Sequence, residues 1–243
     1  MRVLRRAMIA PKSDWGLFPL TKTTIRHTGR QRNTILVLPT ITTYWAFPLG
    51  LAPSAPSAYN GAMTYSENIA ACFARATADD NAAGMVWYNE AHNLALELSP
   101  NNVWRGAGVI AALSPLKTWN LNVRLARNAF DTGIVSGHIS IHTAYAQRIL
   151  DGEHPLDVMR GDKTRNFATA IATNGKANIA TIDRHAFDIA MNQVFTDKTR
   201  KIGKRIYRDM AAAYSVAANE AGISVNQIQA ITWITWRREK GIK

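Results

Sequence analysis

Two side chains stand out as able to do chemistry. Asp183 lies in Ile182-Asp183-Arg184-His185, where an apolar run gives way to a helical pattern, and Lys163 opens "KTRNFATAIA" 20 residues upstream. An Asp just before a helix accepts hydrogen bonds from the first amides, and the helix dipole favours its ionised form. A carboxylate fixed in that way stabilises positive charge building in a transition state, or orients a water for attack. The same Asp is equally suited to cap the helix and do nothing more, the commonest job of that residue there. A Lys amine becomes a nucleophile when burial depresses its pKa; otherwise it stays solvated or pairs with a phosphate. His185, two residues past Asp183, reads first as a structural histidine. His138 and His142 have the i,i+4 spacing of a metal pair. No Glu completes an HExxH pattern and the preceding "TGIVSG" reads as loop, so no metal site is expected.

The elements that must position these groups read as helices almost throughout from Met63 onward. Apolar residues recur at three- and four-residue spacing over 66–78, 81–99, 102–114, 118–130, 140–150 and 163–172. They recur again over 183–195, 197–221 and 224–240, with Gly133, Gly152 and Gly175 as punctuation. Ser224 and Gln227 have capping-box spacing, which fixes the last start. "NIATI" (178–182) is strand-like but short, and reads as an extended approach to Asp183. The expected fold is all-α, with eight to ten short helices over 63–243. A break at Asn174-Gly175 would let the chain reverse and bring Asp183 back near Lys163 and the loop Ser114–Trp119. If the helix runs over 197–221, Lys201, Lys204, Arg205 and Arg208 share one face, with Arg200 off to the side. That face suits phosphate contacts or simple solvation. Among the tryptophans, Trp119 alone falls in a loop where it could stack on a base; Trp87, Trp104, Trp233 and Trp236 fall at core spacing.

Composition narrows the partners. The 243 residues carry a formal net charge of +12 and a pI near 10.1, which points to a polyanion. Much of that charge sits in residues 1–32, with eight Lys/Arg against one acid, Asp14. The single cysteine, Cys72, excludes intramolecular disulfides, a Cys₄ zinc site and a Cys-ligated cluster, and suits an intracellular compartment. Residues 33–66 carry no charge, and "LAPSAPSAYNG" (51–61) reads as a linker. Residues 1–62 are therefore expected to form a poorly ordered extension, with a DNA-binding arm or a signal anchor as the other readings. The natural start could also be Met63. Pro39, Pro48 and four threonines argue against membrane insertion of "TILVLPTITTYWAFPLGL". No membrane partner and a monomer are expected.

Three stretches, in order, carry a resemblance: "GVIAALSPLKTWNLNVRLARNAF" (108–130), "ILDGEHPLDVMRGDKTRNFATAI" (149–171) and "ATIDRHAFDIA" (180–190). They resemble landmarks of the helix-hairpin-helix DNA glycosylases related to endonuclease III. In that family a core helix ends in a Ser-containing loop near the extruded base. A Gly-rich hairpin precedes a Lys-Thr-x-Asn helix, and an extended segment delivers a catalytic Asp. The resemblance implies a helix-hairpin-helix glycosylase-like domain over 63–243, with DNA as partner and no cofactor. It implies Asp183 as catalytic carboxylate and Lys163 at the Schiff-base position. DNA contacts fall to Lys117, Arg160, Gly161, Arg165, Lys201, Lys204 and Arg205. The base pocket takes Ser114, Trp119, His185 and Asn166, the last with the hairpin backbone as its other partner. The chain departs from the family in its hairpin, Met159-Arg160-Gly161-Asp162, which has one Gly, and in lacking cluster-binding cysteines. It is also similar to a divergent phage branch linked to hypermodified thymine, through "KTRNF", "TIDRHA" and the ending "QAITWITWRR". Three functions stay open: base excision, modification of a base substituent, and non-catalytic DNA binding.

Overall fold

The structure, a computed structural model, describes residues 64–242, so the expected extension and linker over 1–62 lie outside the described residues. Among those described, the fold is all-α, with no strand. The helices are α1 (Tyr65–Ala74), α2 (Ala78–Leu98), α3 (Val103–Leu113), α4 (Trp119–Thr132) and α5 (Ser140–Leu150), followed by α6 (Pro155–Val158), α7 (Asp162–Ala172), α8 (Arg184–Ala190), α9 (Lys204–Ala221) and α10 (Val225–Glu239). No helix among them is long and apolar enough to cross a membrane.

The starts are written in side chains. Thr64, Thr77 and Ser224 each close a capping box, the last with Gln227 as its spacing requires. Asn102, Thr118 and Asp183 cap α3, α4 and α8. α6 was not legible as a helix, although it carries a start signal: Pro155 stands at its first position, and the His154 ring accepts from the Leu156 amide at 3.3 Å. Three expected helices are shorter than their periodicity, the first being α1, which stops at Ala74 because Thr77 caps the start of α2. α8 stops at Ala190 because Asn192 turns left-handed (φ 51°) and the Gln193 amide returns to Asp188 O at 3.0 Å. α9 begins at Lys204, not 197, because Thr196 and Thr199 bond each other and Arg200 turns inward.

Two apolar cores result. One gathers α2, α3, α4, α5, α6 and α7 around Ile110, Leu113, Ile149 and Ile171. The other gathers α1, α8, α9 and α10 around Ile69, Ile189, Met210, Tyr214 and Trp236. The chain passes from the first to the second after α7. Gly175 takes φ 72° and its amide reaches Ala170 O at 2.8 Å, so the chain doubles back. Asn178 turns left-handed (φ 52°), and residues 179–183 then run without a helix or a ladder partner. Buried backbone must be paired, and here side chains of three helices do it. Asn166 of α7 donates to Ala180 O (3.0 Å), and Asn226 of α10 to Ile179 O (2.9 Å). Gln229 both accepts from the Thr181 amide (2.8 Å) and donates to its carbonyl (2.5 Å). The Ile182 amide donates to the Tyr207 hydroxyl of α9 (3.3 Å). Asp183 is thus delivered by a segment held along its length.

α3 crosses α2 at Gly106, where a Cβ would collide with the Ala95 carbonyl. That obstacle is backbone and cannot rotate away. Gly106→Ala should cost about 1–3 kcal/mol, the range for overpacking a close core, read as a lower midpoint in urea unfolding. An unchanged midpoint would show that α2 and α3 separate freely.

Candidate active-site cleft

Asp183 does two things at once. One carboxylate oxygen, Oδ1, accepts from the His185 amide (2.9 Å) and the Ala186 amide (2.8 Å), capping α8. The other makes no hydrogen bond to the described residues, and the side chain lines two adjoining cavities. The inner one has a volume of about 130 Å³ and the outer about 440 Å³. Ser114, Lys117, Trp119, Lys163 and Trp233 line both with it. The structure therefore brings the Asp, the Lys and the 114–118 loop to one cleft, with Trp119, expected in the loop, standing instead as the first residue of α4. The cleft lies at the seam between the two cores.

The inner cavity has aromatic walls. Trp87 stands 5.1 Å from Trp119, 5.9 Å from Phe167 and 6.5 Å from Trp233, centroid to centroid. Trp87 and Trp233, expected to be packing residues, are half-buried members of this wall. Their helical spacing marks an apolar face correctly, but that face borders a hollow. Tyr88, Asn122, Thr181 and Gln229 add polar groups to the lining.

The outer cavity is cationic. Arg184 and Arg237 join Lys117 and Lys163 in lining it. The Arg237 guanidinium lies 4.3 Å from the Trp233 ring centroid, and burial, with Arg184 nearby, lowers its pKa from the usual arginine value. Sequence reasoning missed Arg237; its position one turn after Trp233 was the available signal. His185 is buried under the same rim and meets Trp233 edge to face (6.2 Å, 77°). Burial lowers its pKa, against the opposing pull of Asp183.

The loop between α3 and α4 is held tightly. Ser114 Oγ donates to Ala111 O (2.9 Å), and Leu116 sits at φ 59° with 75% of its surface exposed. A branched side chain in the left-handed region is strained and must be held there. His138 supplies a hold. Its Nε2 lies 2.8 Å from Pro115 O, and its Nδ1 accepts from the Ile139 amide at 2.7 Å. A carbonyl can only accept, so Nε2 carries the proton and the ring is neutral. His142 lies tilted beside it, with ring centroids 4.8 Å apart and 58° between the planes. The i,i+4 spacing thus serves the loop, and no cluster of three or more metal-ligating side chains stands among the described residues.

Burial lowers the pKa of His138, His142 and His185 below the ordinary 6.5. The unfolded chain therefore binds protons that the folded one resists. Stability is fully present above about pH 6.5 and is lost as pH falls from there towards the folded values. Thermal unfolding should show a falling midpoint from pH 7 to 5.5, and His138→Gln should make that fall shallower. A midpoint flat over this range would contradict buried neutral imidazoles.

The remaining expected residues divide. Arg160 and Gly161 are exposed at the hairpin between α6 and α7. Arg165 ties the hairpin to α7: its Nη1 donates to Leu156 O and, at 3.1 Å, to Met159 O. Asn166 is not in the base pocket, since it bridges Ala180 O and the Tyr207 hydroxyl (3.1 Å). Lys204 and Arg205 are exposed in the first turn of α9, but Lys201 precedes the helix and shares no helical face with them. Arg200 is buried against Asp188.

The model of a family of unknown function (DUF7178) matches residues 53–240. No curated protein matches the chain. No solved structure matches it.

Proposed function

The chain belongs to DUF7178, a family of unknown function, and we propose that this protein is a DNA base-processing enzyme of the helix-hairpin-helix glycosylase type. The observation that carries this reading is the double role of Asp183: one oxygen is held by helix amides, the other is free of hydrogen bonds to the described residues, and the side chain lines a cleft shared with Lys163. Cleaving an N-glycosidic bond builds positive charge on the sugar, and a carboxylate fixed beside it stabilises that charge or orients the attacking group. A base must leave the stack to reach such a carboxylate. The aromatic walls of the inner cavity suit an extruded ring, and Lys117, Arg184 and Arg237 suit the flanking phosphates. Leu116, exposed at the loop apex, is placed to fill the gap an extruded base leaves. Lys163, on the same lining, supplies a cation or an amine nucleophile to the cleft.

The outer chamber, with more than three times the inner volume, favours a second reading. It has room for a substituent carried by the base, so the chemistry would fall on that substituent and leave the base in place. Mass spectrometry of nucleosides from treated DNA separates the two: free base marks excision, and an intact nucleoside of altered mass marks modification. A protein that binds DNA and produces neither is a binding module.

Binding itself is expected to be electrostatic and tolerant of sequence. Neutralising Lys204 and Arg205 together should reduce the slope of log affinity against log salt by about one for each phosphate left without its cation. An unchanged slope in fluorescence anisotropy would place the DNA on another face.

A further inference from the structure

Asn122, on α4, is 1% exposed and lines the inner cavity. Its Nδ2 donates to Ile110 O at 3.1 Å. Ser114, whose amide would continue the ladder to that carbonyl, bonds Ala111 O instead, so Asn122 fills the place left open at the end of α3. The bond also fixes the amide. A carbonyl accepts only, so the nitrogen faces Ile110 and Oδ1 faces away from it. That oxygen has no protein partner. A buried carbonyl oxygen without a donor is costly, and at the wall of a cavity a ligand's N–H removes the cost.

Size and walls define what would carry that N–H. An apolar cavity of about 150 Å³ holds one benzene ring, and the inner chamber here is about 130 Å³. It holds one six-membered ring, stacked on Trp87, Trp119 or Phe167. From this we propose that Asn122 is a specificity-determining residue: its Oδ1 selects a planar ring that presents an N–H donor, and it rejects the same ring with that donor removed or alkylated. The inference rests on the reading of the cleft as a base-binding site and adds a rule for which bases enter. A site built to bond a donor discriminates more strongly against its loss than an apolar wall discriminates by shape.

The test needs neither DNA nor turnover. Three probes are titrated into the full-length protein while tryptophan fluorescence is followed, since three tryptophans line the cavity. 1-Methyluracil keeps one ring N–H and is blocked where a sugar would attach. 1,3-Dimethyluracil replaces that N–H by N–CH₃, and 1-methyl-2-pyridone places C–H there without added bulk. The first should bind at least about tenfold more tightly than either of the others, the factor expected for leaving a buried acceptor unpaired. Asn122→Leu should bind all three alike. If that variant does not fold, the series is repeated in Asp183→Asn, which removes the other free acceptor on this lining: discrimination that persists there supports Asn122, and discrimination lost there belongs to Asp183 and overturns the role of Asn122. Equal binding of the three rings by the wild type overturns the role of Asn122 and leaves a ring-binding cavity standing. Discrimination that persists in Asn122→Leu overturns it as well. If no ring binds, the base-binding reading of the cleft fails and the selection rule falls with it. A protein that discriminates among the rings yet leaves every DNA unchanged keeps the rule and loses the enzymatic reading.

Discussion

Asp183→Asn is expected to lower turnover on DNA by about 10²–10³-fold, the cost of removing one preorganised electrostatic group, with DNA affinity little changed. The substitution is chosen for what it keeps. An Asn carbonyl oxygen in the place of Oδ1 can still accept from the His185 and Ala186 amides, so α8 stays capped. What it removes is the charge of the oxygen that faces the cleft. Asp183→Ala would lose both and cost about 0.5–2 kcal/mol of stability through the cap, which would blur the reading. A purely structural Asp183 predicts the reverse pattern: Asn harmless to every measured property, Ala destabilising. Thermal unfolding beside single-turnover kinetics separates the two.

The largest loss of stability is expected at Arg200. Its guanidinium donates to both oxygens of Asp188 at 3.1 and 2.9 Å, to Phe195 O at 2.6 Å and to Asp197 at 2.8 Å. Arg200 and Asp188 side chains are 8% and 3% exposed. Removing one member of a buried pair strands the other's charge, which costs about 3–5 kcal/mol. Arg200→Met should therefore lower the unfolding midpoint by on the order of 10 °C for a chain of this size. Arg200→Met with Asp188→Leu should recover a large part of that loss, because no charge is then left alone. A loss under about 1 kcal/mol for the single variant would mean that water reaches Asp188. The pair also has a bearing on the cleft: Arg200, Asp197 and Ile202 line the outer chamber, so the variant should weaken DNA binding as the rim loosens.

Sequence pattern carried the helices whose ends are written locally. The Ser224 cap needs only Gln227, three residues on, and Gly175 needs only its own backbone; the Thr77 box is as local, but periodicity alone passes over it, and α2 starts at 78 and not at 81. The start of α9 is not local. Residues 197–203 have helical composition, but Arg200 gains more from Asp188, 12 residues away, than from a helical turn. Side-chain direction failed in the same way. Arg165 and Asn166 are consecutive, so they point about 100° apart on α7. Which of them meets the hairpin and which the 178–182 segment depends on where α6 and α9 pack. The result, Arg165 to the hairpin and Asn166 to Ala180, reverses the expectation for Asn166. Trp87 and Trp233 show the limit of periodicity: it finds an apolar stripe and is silent on whether a neighbour or a cavity faces it. The Asp183 placement was legible because the cap, the extended approach and the Asn174-Gly175 reversal are each short-range signals that agree.

Whether Asp183 serves chemistry on a base held in this cleft is tested most directly by a single-turnover time course on double-stranded, single-stranded and base-modified DNA. Saturation is checked by anisotropy, and the nucleosides and free bases are read by mass spectrometry. Wild-type protein should convert at least one of these DNAs to free base or to a nucleoside of altered mass, and Asp183→Asn should bind the same DNA and leave it unchanged. Equal conversion by the two proteins, or DNA left intact by both, would contradict a catalytic Asp183.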